Sequence, residues 1–132
     1  MRILVVDRDR SVTDTTVMVL KSAGFTAIGA ISGEEAIGKA TECTFDVLLT
    51  DVLMEPMNGV QIALAFLELQ PSARVILFSG SNGAASILTQ AAEAGHQFAI
   101  LPKPIHPSEL FLRLRGDHPK PDGGPGAGRA IP

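Results

Sequence analysis

The chain has 132 residues, a formal net charge of −3 and 45% hydrophobic residues. This length fits one domain with a real core, and the hydrophobic content excludes a disordered chain. No basic stripe is visible, which argues against nucleic acid as a direct partner, and the single Cys43 excludes an internal disulfide. We expect a cytoplasmic protein, because the sequence shows neither a signal peptide nor the roughly 18 to 20 consecutive apolar residues of a membrane span.

Five short apolar runs along the chain predict β-strands. They cover residues 3–6, 26–30, 47–51, 75–78 and 98–101. Apolar residues at helical spacing follow each run, and they predict helices that begin near Ser11, Ser32, Gly59, Ala84 and Pro107. The third run is apolar at consecutive positions, as expected of a strand buried on both faces of a parallel sheet. This alternation predicts an α/β fold with a parallel sheet, helices on both faces and right-handed crossovers.

Turn and capping residues predict where the helices begin and end. Ser11 and Asp14 have the spacing of a loose capping box for the first helix, and Gly24 is its natural stop. Gly95 ends the fourth helix, and Pro107 suits the first turn of the last one. Gly and Pro make up nine of the residues in 116–132, which predicts a flexible tail or the start of a linker. We therefore assign residues 1–115 to a single domain.

Polar residues end four of the five predicted strands. Asp7 and Asp9 follow the first strand, Asp51 ends the third, Ser79 ends the fourth and Lys103 follows the fifth. In a parallel sheet these ends lie on the same rim, where open α/β sheets place their functional groups. We therefore expect carboxylates, a hydroxyl and a lysine to share one crevice.

These strand ends resemble the receiver domains of two-component response regulators, over about residues 2–114. The residues that carry the resemblance are Ile3-Leu4-Val5-Val6-Asp7, Asp51-Val52 with Met54, Met57 and Gly59, Ser79-Gly80, and Leu101-Pro102-Lys103-Pro104. The resemblance implies a doubly wound, flavodoxin-like sheet of five parallel strands. It also implies the strand order 2-1-3-4-5, which is known from the chemotaxis regulator of this family.

The resemblance implies a role for each of three rim residues. Asp51 would accept a phosphoryl group from the phosphohistidine of a histidine kinase or phosphotransfer protein. Lys103 would pair first with Asp51 and then with the phosphoryl oxygens, and Ser79 would donate its hydroxyl to the phosphoryl group. The Lys103–Pro104 bond would be cis. Signalling to a downstream protein target would use the face of the fourth helix, fifth strand and fifth helix, without direct nucleic-acid or membrane contact, so we expect a signalling module and not an enzyme.

The resemblance also implies a Mg²⁺ site, held by Asp7, Asp51 and the backbone carbonyl of Leu53, with Asp9 as a candidate further ligand. Arg8 stands where the family usually has the acidic residue that binds the ion directly. The loss of a carboxylate and the gain of a cation should weaken Mg²⁺ binding. Because an Arg in place of an Asp adds two positive charges, as the ion does, we hypothesise that Arg8 partly replaces the metal by pairing with Asp51 or with a bound phosphoryl group. The alternative is that Arg8 points into solvent and that Asp9 caps the first helix.

Two further departures from the family pattern bear on signalling and on the loop after the third strand. Ile100 stands where the family usually has Tyr or Phe, so rotation of an aromatic ring cannot carry the activation signal. Glu55-Pro56 stands where the family usually has Pro directly after Met54. The loop between Asp51 and Gly59 should therefore keep its length but change its turn.

Two alternative functions stay open. A phosphorylation-independent pseudo-receiver would use the same fold purely for interaction. The substitutions at positions 8 and 100 favour it, whereas the intact Asp51, Ser79 and Lys103 oppose it. The end of the first strand also looks like the opening motif of haloacid-dehalogenase-like phosphatases, whose nucleophile would be Asp7. The chain is short for that class, however, and this function would leave Asp51 without a role.

Overall fold

The computed structural model describes residues 1–80, 84–96, 98–104 and 106–116. Its strands are β1 (Arg2–Val6), β2 (Thr26–Ala30), β3 (Val47–Asp51), β4 (Arg74–Ser79) and β5 (Ala99–Pro102). Its helices are α1 (Arg10–Ser22), α2 (Gly33–Glu42), α3 (Gly59–Leu69), α4 (Ala84–Glu93) and α5 (Pro107–Leu114). Each predicted strand and helix is present, with small differences at the ends. The predicted tail at residues 116–132 lies outside the described residues apart from Gly116.

The five strands form one parallel sheet in the order β2-β1-β3-β4-β5, which confirms the predicted fold. This order places β1, β3 and β4 in the interior of the sheet and leaves β2 and β5 at its edges. Val6 lies opposite Thr50 in the pairing of β1 with β3, and Asp51 lies opposite Phe78 in the pairing of β3 with β4. The central strands therefore finish at one rim, as the sequence predicted.

The sheet has an apolar core on each face, because successive side chains of a strand point to opposite sides. On β1, Ile3 and Val5 belong to a core shared with α1 and α5, whereas Leu4 and Val6 belong to a core shared with α2 and α3. A third cluster packs α3 and α4 against β4. Helices on both faces confirm the doubly wound architecture. Within the residues described, none of these helices has the length and apolar character that crossing a bilayer requires.

The first helix begins before the residue that the sequence suggested. Its N-cap is Asp9, whose Oδ1 accepts hydrogen bonds from the backbone N–H of Ser11 at 3.0 Å and from the Ser11 hydroxyl at 2.8 Å. Both hydrogen bonds lower the pKa of Asp9, and the bond from the Ser11 hydroxyl has the larger effect. The predicted capping box of Ser11 and Asp14 is therefore wrong, because Ser11 lies inside the first turn, whereas the alternative prediction that Asp9 caps this helix is confirmed. Gly24 and Gly95 follow α1 and α4 with φ of 97° and 90°, as their predicted stop positions require.

Candidate functional site

Two buried carboxylates lie side by side at the carboxyl rim of the sheet. Asp51 is the last residue of β3 and is 8% exposed, and Asp7 directly follows β1 and is 1% exposed. The Oδ1 atom of Asp7 accepts the backbone N–H of Asp9 at 2.9 Å, and Oδ1 of Asp51 accepts that of Leu53 at 3.3 Å. Buried carboxylates need such partners to offset the loss of water. One oxygen of each carboxylate is thereby held against the backbone, and the other is available to a cation.

Lys103 is the cation that joins these two carboxylates. Its Nζ donates to Oδ2 of Asp7 and to Oδ2 of Asp51, each at 2.9 Å. Burial lowers the pKa of Lys103, but the hydrogen bonds to Asp7 and Asp51 outweigh burial and raise it above the ordinary value of 10.5. The lysine is therefore charged at neutral pH. The sequence predicted the pair with Asp51, but it did not indicate that Asp7 shares the same ammonium group.

Two glycines leave the space that this arrangement needs. A Cβ atom on Gly80 would lie 2.6 Å from Cβ and 3.0 Å from Cδ of Lys103. A Cβ atom on Gly59 would overlap the carbonyl oxygen of Asp51 and would lie 2.8 Å from Cα of Val52. The resemblance included both glycines, and Gly59 was also predicted as the start of a helix. In the structure, Gly80 packs against the aliphatic part of the Lys103 side chain, and Gly59 packs against the backbone of Asp51 and Val52.

A cleft of about 290 Å³ opens beside the carboxylates, and Arg8 lines it. Other residues around this cleft are Asp7, Asp9, Asp51, Leu53 and Lys103. Arg8 is exposed, and no carboxylate of the described residues lies within ion-pair distance of its guanidinium. In the structure, Asp51 therefore pairs with Lys103 and not, as hypothesised, with Arg8. The other half of that hypothesis, in which Arg8 binds a phosphoryl group, stays a prediction.

Ser79 and Ile100 lie on the neighbouring strands β4 and β5. The backbone carbonyl of Ser79 accepts the N–H of Lys103 at 3.2 Å, so the two strand ends are joined at the rim. In the part of the chain that the structure describes, no hydrogen bond links the Ser79 hydroxyl to either carboxylate. The Lys103–Pro104 bond is cis, as predicted, and Glu55–Pro56 is also cis, which no sequence pattern indicated. Ile100 is 38% exposed.

The donor set at the rim is poorly suited to a strongly bound Mg²⁺ ion. Asp9, the candidate further ligand, uses its Oδ1 to cap α1, so it could offer a metal ion only its Oδ2. Across the described residues, no three side chains of His, Cys, Asp or Glu are grouped to hold a metal ion. Mg²⁺ attracts oxygen ligands of negative charge, whereas Arg8 and Lys103 place two cations beside the carboxylates that line the cleft. These residues do not fit a tightly held Mg²⁺ ion, and the predicted ligand set stays a prediction.

The sequence model of the response regulator receiver domain matches residues 3–115 of this chain. The chain belongs to the response regulator receiver family. This receiver domain is 29% identical to the response regulator receiver protein CpdR of Brucella abortus over 113 residues, which cover 86% of this chain and 92% of CpdR. It is 30% identical to the transcriptional regulatory protein ResD of Bacillus subtilis over 114 residues, which cover 86% of this chain and 46% of ResD. A receiver domain structure from Clostridium thermocellum superposes with a TM-score of 0.77 at 26% identity, over 87% of this chain and 91% of that one.

Family membership confirms the resemblance that the strand ends indicated. Receiver domains are modules of two-component signalling, they generally interact with histidine kinases and downstream targets, and they generally depend on Mg²⁺. The matched segment corresponds to nearly all of CpdR but to about half of ResD. This receiver domain departs from the general pattern at the cleft itself, where Arg8 follows Asp7.

Proposed function

We propose that this receiver domain accepts a phosphoryl group on Asp51 from the phosphohistidine of a histidine kinase or phosphotransfer protein. The observation that carries the proposal is the Lys103 ammonium group, which lies 2.9 Å from Oδ2 of Asp51. A carboxylate is a competent nucleophile toward phosphorus, and an adjacent cation neutralises the charge on the transferred oxygens. Asp51 is itself the group that is modified. The domain would therefore act as a signalling module and not as an enzyme with a substrate of its own. We propose that it does so in the cytoplasm.

The proposed transfer is a single displacement at phosphorus. An oxygen of Asp51 forms a bond to phosphorus while the P–N bond to the donor histidine breaks, and the imidazole leaves with the electron pair and takes a proton from solvent. The product is an acyl phosphate with about −1.5 to −2 units of charge near neutral pH. Lys103 follows the negative charge from the carboxylate to the phosphoryl oxygens, and the Ser79 hydroxyl donates to one of them.

The proposed output surface is formed by α4, β5 and α5. Two large apolar side chains on it are exposed to solvent, Ile100 at 38% and Leu112 at 48%. The bond from the Lys103 N–H to the Ser79 carbonyl connects the cleft to β5 through the backbone. A movement of Ser79 toward the phosphoryl group would therefore shift this surface without any ring rotation. The proposed partner of the surface is a downstream protein target, and neither nucleic acid nor a membrane takes part in the contact.

Intact-mass measurement after exposure to acetyl phosphate tests the proposal. We expect the wild-type chain to gain one phosphoryl group, the Asp7→Asn variant to gain it more slowly, and the Asp51→Asn variant to gain none. Phosphoryl uptake by Asp51→Asn together with its loss in Asp7→Asn would favour the phosphatase-like alternative. No uptake by the wild-type chain under any condition would favour the pseudo-receiver.

The pseudo-receiver is the second candidate, because Arg8 lines the cleft and Ile100 replaces the family's usual aromatic residue. The contacts of Lys103 are compatible with the phosphoacceptor, since they place a cation at the oxygen of Asp51 that would be modified, and they also compensate the buried carboxylates. The phosphatase-like alternative has weaker support. Asp7 is 1% exposed and Asp51 is 8% exposed, so Asp7 is less accessible to a phosphate than Asp51.

A further inference from the structure

We infer that Arg8 supplies the positive charge that stabilises the phosphoryl group on Asp51, so that phosphorylation of this domain does not require Mg²⁺. The inference rests on the proposed function, because it concerns the same cleft and the same modified residue. It assigns to Arg8 a phosphoryl-binding role that the chain's own geometry supports.

The backbone next to Arg8 is fixed at the edge of the cleft. The Asp7 N–H donates to the carbonyl of Ala30 at 3.1 Å, and the Asp7 carbonyl accepts the Thr13 hydroxyl at 2.8 Å. The Arg8 side chain therefore starts from a rigid position and lines the cleft that also contains Asp51. No carboxylate within the described ranges holds its guanidinium. Arg8 can therefore bind an incoming anion without breaking an existing ion pair.

Compared with an aspartate at position 8, Arg8 makes the charges around the cleft less favourable to a divalent cation and more favourable to an anion. The described side chains that line it include three carboxylates, from Asp7, Asp9 and Asp51, and two cations, from Arg8 and Lys103, which leaves one net negative charge. With an aspartate at position 8, the same count would leave three net negative charges. The difference of two units equals the charge of one Mg²⁺ ion. Arg8 therefore weakens the attraction for Mg²⁺ and strengthens the attraction for a phosphoryl group.

The chemistry of the guanidinium suits this role. Its planar fork of donors can bind two phosphoryl oxygens at once, which a lysine ammonium cannot do with the same geometry. Lys103 already serves both Asp7 and Asp51. When the phosphoryl group forms, Lys103 must still compensate Asp7, whereas Arg8 is available for the added charge.

The test begins with Mg²⁺ binding to the wild-type chain and to the Arg8→Asp, Arg8→Lys and Arg10→Asp variants. Arg10→Asp is a matched control, because it makes the same charge change at an exposed residue that lines a different groove, between α1 and β2. The chain contains neither Trp nor Tyr, so binding is followed by calorimetry and by amide NMR shifts. We expect Arg8→Asp to bind Mg²⁺ at least about tenfold more tightly than wild type, and Arg10→Asp to stay within about twofold of it.

Phosphoryl uptake from acetyl phosphate is then measured by intact mass, in EDTA and in excess Mg²⁺. We expect Mg²⁺ to change the wild-type rate by less than about threefold. Arg8→Asp should lose at least about tenfold in EDTA and recover with Mg²⁺, and Arg8→Lys should fall between wild type and Arg8→Asp. Circular dichroism checks that each variant is folded, as expected for changes at exposed positions.

Four outcomes would overturn the inference. Sub-millimolar Mg²⁺ binding by the wild-type chain, or uptake only when Mg²⁺ is present, overturns it and leaves the proposed function intact. The inference is also overturned, and the proposed function left intact, if wild type and Arg8→Asp have equal Mg²⁺ affinity and equal phosphoryl uptake. The absence of uptake in every variant and condition overturns the proposed function and the inference together, so the two failures are distinguishable.

Discussion

The ammonium nitrogen of Lys103 lies 2.9 Å from Oδ2 of Asp51, although 52 residues separate the two in the chain. The same nitrogen lies 2.9 Å from Oδ2 of Asp7, which is 96 residues away. Asp51 ends the central strand β3 and Asp7 directly follows the central strand β1, whereas Lys103 follows the edge strand β5. This contact therefore joins the edge of the sheet to its centre, and the stability of the fold and the proposed chemistry depend on the same lysine.

The Lys103→Met variant should be less stable than the wild-type chain by about 1–3 kcal/mol at neutral pH, because it leaves two buried carboxylates without their cation. Urea unfolding measures the difference. Lys21→Met is the control, since Lys21 is exposed at the end of α1 and should change stability by no more than about 0.5 kcal/mol. Equal stabilities of the two variants would contradict the structural role of Lys103.

The stability that Lys103 contributes should disappear at alkaline pH. The hydrogen bonds to Asp7 and Asp51 raise its pKa in the folded state above the ordinary value of 10.5, so the contribution is fully present below the unfolded pKa. It is lost as the pH rises through the folded pKa. We therefore expect the stability gap between wild type and Lys103→Met to stay constant above neutral pH and to narrow only beyond about 10.5. A gap that already closes in mildly alkaline buffer would contradict this assignment.

The Gly80→Ala variant should slow phosphoryl uptake on Asp51 by at least about tenfold, because displacement of a positioning group by a fraction of an ångström is costly to the reaction. The added Cβ would lie 2.6 Å from Cβ of Lys103 and would push the lysine stem aside. Gly38→Ala is the matched control, since a Cβ on Gly38 meets nothing within 4 Å on the exposed side of α2. It should leave uptake unchanged and stabilise the helix by about 0.5–1 kcal/mol. Identical uptake by both variants would exclude the steric role of Gly80.

The Gly59→Ala variant should lose about 1–3 kcal/mol of stability, since overpacking against rigid atoms forces shifts of the backbone. The atoms in the way are the carbonyl oxygen of Asp51 and Cα of Val52, which belong to the backbone and cannot rotate aside. The Gly59 N–H also donates to the Val52 carbonyl at 2.8 Å, so α3 cannot move away freely. The urea midpoint of the variant measures the loss, and a midpoint equal to that of the wild-type chain would show that the loop relaxes without cost.

The Gln70→Leu variant should lose about 1–3 kcal/mol of stability, because it strips three backbone groups of their partner. The Gln70 amide nitrogen donates to the carbonyls of Ala40 and Cys43 at 2.9 and 2.7 Å, and its oxygen accepts the N–H of Phe45 at 2.6 Å. These contacts lie at the rim opposite the cleft, so phosphoryl uptake per folded molecule should not change. Exposed Gln90 provides the control, and Gln90→Leu should be neutral within about 0.5 kcal/mol.

Most of the fold could be predicted because its signals are local. Five apolar runs with helical stripes between them specify the alternation of strands and helices, and Pro107 marks a helix start in both sequence and structure. The order of the strands came from the resemblance and is confirmed by the pairing. The start of α1 was misassigned because Asp9 and Ser11 are both good cap residues. Only the folded geometry decides between them.

Part of the site could also be predicted, because the ends of strands are recognisable from the local sequence. Asp51 and Lys103 were found because they stand at strand ends, and parallel strands finish at one rim. The sharing of Lys103 with Asp7 could not be predicted, because it depends on distances between side chains from three strands. The tight packing of Gly80 against Lys103 could not be predicted either, because it involves segments that are not neighbours in the sequence.

The dependence of two early acids on a late lysine has a consequence for biosynthesis. A chain is made from its N-terminus, and its first segments leave the ribosome before its last ones. A nascent chain that has emerged only through β4 holds Asp7 and Asp51 but has no Lys103 to compensate them. Asp51 therefore gains the cation that the proposed phosphoryl transfer needs only when the fifth strand has joined the sheet. If Asp51 is the phosphoacceptor, translation itself delays the moment at which a newly made molecule can receive a signal.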